Sequence, residues 1–353
     1  MRYLLVGFYG KDNVGDNMLR ETTKQHILEV DPLAHFCYLT WEDMILNRCD
    51  FASPDMRPDF VVAGGGGWFG EDGFSQGLIY SIFLNAKKYG SKIIAYDVGV
   101  NVIYRDDSRV YMQKVFDAMD LIIVRDQISA YHLKMIAEED VTVASDMAIT
   151  YPFARKYPRE NKRVGLIATF TYAMEYYEAK IRFFLENGYD VSLIPFGDTS
   201  GDYPRYEILR NNIDDSRIWI VPRIHDMQNQ IDYLLDEVSK CGIIVAHRLH
   251  GMVAAILTET PLVSLNYHFK MFELSAQGGL ERYCVPMYNV VSELYIQEWS
   301  KYHYTHLEEI VGRITSDYEK ALVDIKMARE LLTIQALSGK QRFQEFIHEN
   351  MAI

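Results

Sequence analysis

Short β-rich runs alternate with longer helical patterns along most of this chain, and the rhythm breaks once and then restarts. YLLVG (3–7), HFCYLT (35–40), DFVVAGGG (59–66), KIIAYDVG (92–99), LIIVRD (121–126) and VTVASD (141–146) read as strands. A helix is expected from about Asn17 to Val30, and a second carries Leu78, Ile82, Phe83 and Ala86 at helical spacing. Apolar strands separated by helices need crossover connections. The pattern therefore predicts a parallel, doubly wound sheet with helices on both faces.

The register breaks at YPFARKYPRENKR (151–163), where two prolines and a burst of charge read as an interdomain linker. RVGLIATF (163–170), YDVSLIPF (189–196), IWIVP (218–222), GIIVAH (242–247) and PLVSLN (261–266) then read as a second set of strands. Residues 173–187, 226–240 and 251–259 read as the intervening helices. Beyond about residue 300 the pattern is helical, with Leu307, Ile310, Val311, Ile314 and Tyr318 on one face. The expected organisation is one α/β domain over 1–155, a second over 160–300 and a helical tail over 301–353. The tail is expected to pack on a domain, with an amphipathic membrane contact as the alternative.

A length of 353 residues suits two domains. The formal net charge of −13 argues against a protein that wraps nucleic acid, which needs surplus Lys and Arg. It leaves room for a local basic pocket. The four cysteines, Cys37, Cys49, Cys241 and Cys284, form no CxxC pair, so neither a zinc site nor a disulfide framework is suggested. No metal ligand cluster is visible. MRYLLVGFYG is too short for a secretory apolar core, and no window approaches a transmembrane span. The expected location is the cytoplasm, with contact at the inner face of the membrane left open.

Four stretches can carry chemistry, each at the end of a strand, where open α/β sheets bind ligands. GFYGKDNVGDNML (7–19) holds Gly7, Gly10 and Gly15, and Asn13 and Asp16 stand at the helix entrance as ligand contacts or as caps. Its glycines match neither GxGxxG nor the P-loop. VVAGGGGWFGED (61–72) places four glycines, Gly65 and Gly66 at their centre, where backbone N–H groups approach a ligand closely or a loop is flexible. In IIVRDQIS (122–129), Arg125 and Asp126 are a site pair or a helix cap with a surface charge. VAHRLHGMVAAIL (245–257) brings His247, Arg248 and His250 to a strand-to-helix junction just before Gly251. The helix N-terminus attracts an anion, Arg248 can grip a carboxylate or phosphate with two hydrogen bonds, and His250 can move a proton. Lys270 follows the next strand. Asp146 and Asp198 are lesser candidates, as ligand contacts or as turn and cap residues.

Taken together and in order, these stretches resemble the polysaccharide pyruvyl transferase family. GFYGKDNVGDN resembles its opening loop, VVAGGGGWF its glycine run, VRDQIS its Arg–Asp–x–x–Ser, and RLHGMVAAILTETPLVSLNYHFK its Arg–x–His–Gly segment with a following strand and lysine. His247 stands where the family often has serine, and His268 and Phe269 where it often has Asp–Pro. The resemblance implies two Rossmann-like domains facing across a cleft, as in B-type glycosyltransferases. It implies transfer of a pyruvyl unit from phosphoenolpyruvate to a sugar of a polysaccharide or lipid-linked glycan as a ketal, with no further cofactor. It assigns Arg125, Arg248, Leu249 and His250 to donor contacts, Lys270 to a basic position and Asp16 to an acidic one. The first domain would hold the acceptor side together with Arg125, and the second the donor. A nucleotide-sugar glycosyltransferase is the alternative.

Overall fold

The computed structural model describes residues 1–10, 13–39, 57–70, 73–137, 140–170, 173–197, 201–224, 227–286 and 306–351. The side chains at 68, 73–80 and 227–228, which include Leu78, lie outside that description. The chain divides into two compact units. The first comprises Met1–Gly10, Asp16–Tyr151 and Thr333–Ile353; the second comprises Lys11–Gly15 and Pro152–Leu332.

In the first unit β1 (Arg2–Val6), β2 (His35–Leu39), β3 (Phe60–Phe69), β4 (Lys92–Val100), β5 (Leu121–Val124) and β6 (Thr142–Val143) form one parallel sheet in the order β2-β1-β3-β4-β5-β6. Between them run α1 (Val14–Leu28), α2 (Gly73–Lys88), α3 (Asp106–Asp117) and α4 (Gln127–Lys134). Ile82, Phe83 and Ala86 of α2 are buried, as their spacing requires.

The glycine run differs from a loop. Gly64–Gly67 lie inside β3, which continues to Phe69. Gly65 and Gly66 take left-handed φ values of 62° and 84°, and the β3–β4 register slips between Gly66 and Phe69. One extra residue is thereby accommodated as a bulge, a conformation glycine adopts without steric penalty. A second slip, between Tyr96 and Val98 of β4, singles out Asp97, whose φ is 61°.

In the second unit β7 (Glu160–Ile167), β8 (Asp190–Leu193), β9 (Ile218–Ile220), β10 (Cys241–Ala246), β11 (Leu262–Asn266) and β12 (Cys284–Pro286) form a parallel sheet in the order β12-β11-β10-β7-β8-β9. Its helices are α5 (Met174–Glu186), α6 (Asp202–Ile213), α7 (Met227–Lys240), α8 (Leu249–Leu257) and α9 (Phe269–Gly278). Helices α6 and α9 and strand β12 join the elements expected from the sequence. The two halves share a rhythm but not a topology. The strand order reverses between β1 and β3 in the first sheet and between β7 and β10 in the second.

The segment that reads as a linker is anchored to the second unit. Arg155 donates to the carbonyls of Ser239 (2.9 Å) and Thr258, and Arg159 to that of Glu259 (2.6 Å). These carbonyls end α7 and α8, where acceptors lack helical partners and a cation meets the negative end of the dipole.

In the tail, α10 (306–316) buries Leu307, Ile310, Val311 and Ile314. That apolar face is occupied by the protein itself, which accounts for its spacing without a membrane. The long helix α11 (Tyr318–Met351) contributes to both units. In the second, Tyr318 donates to the Gly242 carbonyl (2.8 Å) and Arg329 pairs with Glu259 (2.7 Å). In the first, Phe343 stacks on Tyr96 with centroids 3.9 Å apart and Lys340 pairs with Glu29 (2.7 Å). No described helix is long and apolar enough to cross a membrane.

Candidate functional site

In the second unit the reversal between β7 and β10 opens a crevice at the carboxyl ends of the strands, the usual place for a ligand in such sheets. The stretch that leaves β10 lies there. Arg248 is the N-cap of α8, and its side chain does not cap the helix. It reaches outward instead. Its Nε donates to the Ala168 carbonyl at the end of β7 (2.7 Å), and its Nη2 donates to Asp202 (2.6 Å). Leu249 is buried, so its backbone N–H, the first of α8, is the part a ligand can use. Gly251 is small for a packing reason: a Cβ there would come within 2.9 Å of Ile167 at the end of β7. The helix start therefore sits directly on the strand end.

His247 departs from the cluster read in the sequence. It is fully buried, with Nδ1 3.1 Å from the Tyr177 hydroxyl and its ring edge-on to Tyr267 at 5.0 Å. It braces the floor of the crevice from inside. Lys270, the second residue of α9, stands past the end of the neighbouring strand β11, with its N–H bonded to the N-cap His268 (3.3 Å). The N-caps of α5 and α6, Ala173 and Gly201, also lack side-chain caps. Several helix N-termini thus end at one sheet edge with backbone N–H groups that an anion can satisfy.

The opening loop joins this unit. Asn13 forms an antiparallel bridge with Gly197, and Val14 N–H donates to the Phe196 carbonyl (3.0 Å). Gly15 lies against His250: a Cβ built on it would fall on the imidazole ring, far inside contact distance. The sequence placed Asn13 and Gly15 with an acceptor or loop region of the first half; the structure brings Gly15 to His250 and Asn13 to Gly197, both in the second unit. The sequence missed Asp202. It is fully buried, and its second oxygen accepts from the N–H groups of Phe196 (3.2 Å) and Gly197 (2.8 Å). The signal was the stretch GDTSGD, where Asp198 drew notice instead; Asp198 lies outside the described residues.

At the carboxyl edge of the first sheet, Arg125 follows β5 and is only 5% exposed. Its Nε donates to Asp126 (3.1 Å), while the other Asp126 oxygen caps α4 through Ser129 N–H (2.6 Å). Burial opposes the guanidinium charge, but Asp126, Asp146 and Asp97 more than offset it and raise its pKa. Its guanidinium fills the space above two glycines. A Cβ on Gly67 would come to 3.3 Å of it, and one on Gly99 would overlap it. The other glycines make similar room. A Cβ on Gly64 would meet the Tyr9 hydroxyl at 2.5 Å, and one on Gly65 would meet Leu19 at 2.6 Å. The run therefore admits the protein's own side chains closely. Asp97 is buried beside this cluster, and burial together with the Asp146 carboxylate pushes its carboxyl well above the usual range. Asp146 caps the turn Met147–Thr150 through Ala148 N–H (3.1 Å). Asp16, in the first turn of α1, is buried, and its charge is felt by Tyr9, whose hydroxyl donates to the Gly64 carbonyl (2.7 Å).

Two Rossmann-like units, each a six-stranded parallel sheet with a topological switch point, define an α/β protein with the fold of the B-type glycosyltransferases. The sequence profile of the family described as polysaccharide pyruvyl transferase matches residues 13–269. The chain belongs to that family. No curated protein matches the sequence. Among solved structures, a UDP-N-acetylglucosamine 2-epimerase is similar with a TM-score of 0.61 at 12% identity, over 100% of this chain and 96% of that one. The UDP-GlcNAc 2-epimerase from Neisseria meningitidis bound to UDP-GlcNAc gives 0.59 at 11% identity, over 99% and 100% of the two chains. The glycotransferase of kitacinnamycin gives 0.53 at 12% identity, over 99% and 98%. At these identities the likeness is one of fold.

Proposed function

We propose that this protein transfers the pyruvyl unit of phosphoenolpyruvate to a sugar of a polysaccharide or lipid-linked glycan and closes it as a ketal. The observation that supports the reading is the carboxyl edge of the second sheet, where Arg248, His250 and the uncapped start of α8 follow β10 at the switch point and Lys270 follows the neighbouring strand β11. A guanidinium, an ammonium and helix N–H groups suit a small donor bearing a carboxylate and a phosphate.

In this reading His250 gives a proton to the methylene carbon of the donor, and the neighbouring carbon becomes oxocarbenium-like. One sugar hydroxyl attacks that carbon and loses its proton to a base. The carbon–oxygen bond to phosphate breaks and the base passes its proton to the departing inorganic phosphate; a second hydroxyl adds in its place and its proton returns to His250. The roles carried over from the family to Arg125, a second cation, and to Asp16, the base, belong to this reading. Holding the departing phosphate is the largest electrostatic task.

The second reading is an enzyme acting on a nucleotide sugar. It is favoured by the fold shared with proteins solved as UDP-sugar enzymes. A ligand that binds only the folded protein raises its melting temperature, so phosphoenolpyruvate and UDP-sugars are compared by thermal shift. The decisive experiment incubates free and lipid-linked glycans with phosphoenolpyruvate and follows phosphate release and product mass. A pyruvyl adduct with matching phosphate supports the proposal. A shift with UDP-sugars alone, and no adduct, replaces it with the second reading.

A further inference from the structure

Helix α6 carries no residue that the family resemblance assigns, yet the bonds of Arg248 Nε and Nη2 both lead to it. Asp202, its first residue, takes the Nη2 group directly (2.6 Å). Tyr206, one turn later and on the same face, acts through the backbone. Its hydroxyl accepts from Ala168 N–H (2.8 Å) and donates to the Leu166 carbonyl (3.1 Å). Ala168 is the residue whose carbonyl receives Arg248 Nε (2.7 Å). A guanidinium held both at Nε and at Nη2 has its plane set.

We propose that Asp202 and Tyr206 are positioning residues that fix the guanidinium of Arg248 for an anionic ligand. The inference rests on the reading of Arg248 as an anion-binding group. Neither residue is exposed, so neither is itself a ligand for substrate. Asp202 is specific to this task by its hydrogen-bond inventory. Its carboxylate accepts from Arg248 on one oxygen and from two backbone N–H groups on the other. An asparagine has one accepting oxygen and one donating nitrogen, so it must fail at one end. Tyr206 is held in turn by Phe170, whose ring lies edge-on at 5.1 Å. Phe170 keeps a left-handed φ of 50° just past the strand end. Such strain persists only where the surroundings enforce it.

Two measurements test this. The first needs no ligand: the Arg248 Nε–H resonance in a 15N-labelled protein, assigned by its loss in Arg248→Lys. It is expected to be protected from solvent exchange in the wild type and to broaden in Asp202→Asn. The milder Tyr206→Phe is expected to shift it. An unchanged signal in both variants overturns the proposal.

The second measures phosphoenolpyruvate binding by calorimetry for wild type, Asp202→Asn, Arg248→Ala and the double variant. Asp202→Asn is expected to weaken binding about tenfold or more alone and by less than about twofold when Arg248 is already alanine. Equal losses in both backgrounds would show a role independent of Arg248 and overturn the proposal. If the wild type binds UDP and not phosphoenolpyruvate, the pyruvyl-transfer reading fails and the same cycle is run with UDP. If it binds neither, the resonance decides.

Discussion

Gly15 has no side chain because His250 occupies the space one would need. The opening loop and the Arg–x–His–Gly segment, more than 230 residues apart in sequence, therefore depend on each other at a single point. The φ of Gly15 is not in the left-handed region, so alanine would suit its backbone; the obstacle is the imidazole. Gly15→Ala is expected to displace His250 by about an ångström, which can lower turnover about 100-fold. Overpacking should also destabilise the fold by about 1–3 kcal/mol. Steady-state kinetics and urea unfolding measure the two effects, and wild-type turnover in a folded Gly15→Ala would remove His250 from the chemistry.

The two site residues of the second unit should separate kinetically. His250→Ala is expected to lower kcat by about 100- to 10,000-fold if His250 transfers the proton. Arg248→Ala is expected to act mainly on donor KM. Arg248→Lys keeps the charge but cannot reach Ala168 and Asp202 together, so it should recover only a small part of the loss. A kcat effect confined to Arg248→Ala would exchange the two roles.

Gly67 and Gly99 both face the Arg125 guanidinium, but at different clearances. Gly67→Ala asks its neighbour to give by a few tenths of an ångström, whereas Gly99→Ala requires the guanidinium to leave its position. Gly99→Ala should therefore reduce donor affinity by about tenfold or more if Arg125 contacts the donor, with Gly67→Ala close to wild type. Donor titration of the two variants, each checked for its melting temperature, decides. Equal affinities would leave Arg125 a structural residue balancing Asp97, Asp126 and Asp146.

Stability should fall in mild acid through His26. Its Nδ1 lies 2.7 Å from the Tyr96 hydroxyl and its Nε2 3.1 Å from that of Thr150. Burial first, and Lys340 second, lower its pKa from 6.5 to about 3. Between those values the unfolded chain binds a proton that the folded chain refuses. This contribution is therefore complete above pH 6.5 and is lost as pH falls towards 3, at up to about 1.4 kcal/mol per pH unit. Urea unfolding between pH 7 and 4 should show a shallower slope in His26→Gln, by about one proton. An identical slope would mean that His26 is protonated in the folded protein.

The sheets were legible because their strands are apolar runs of a length helices do not use, such as GIIVA and VSLI, each bounded by glycine or polar residues. The cationic segment after β10 was legible for the same reason: a strand and a helix fixed its position between them. What sequence could not reveal was which way a side chain turns. His247 and His250 are equivalent in composition, yet one is a floor residue and the other faces the opening loop. Two aspartates compete in GDTSGD, and only the start of α6 distinguishes Asp202. The end of the glycine run left a ligand-contact segment and a flexible loop both open because glycines carry no apolar signal, although pairing with β4 keeps Gly64 and Gly66 in the strand. The parallel rhythm also concealed that the strand order differs between the halves, since order is set by pairing and not by period.

The bonds from Arg155 and Arg159 to the last carbonyls of α7 and α8 bear on where the chain can be divided. A fragment begun at Glu160, where β7 begins, would leave two buried helix ends without their donors. A fragment begun ahead of Pro152 keeps them. Protease nicking between Arg159 and Glu160 would have the same effect as the shorter fragment, so resistance to cleavage there reports that the second sheet and its helices have assembled.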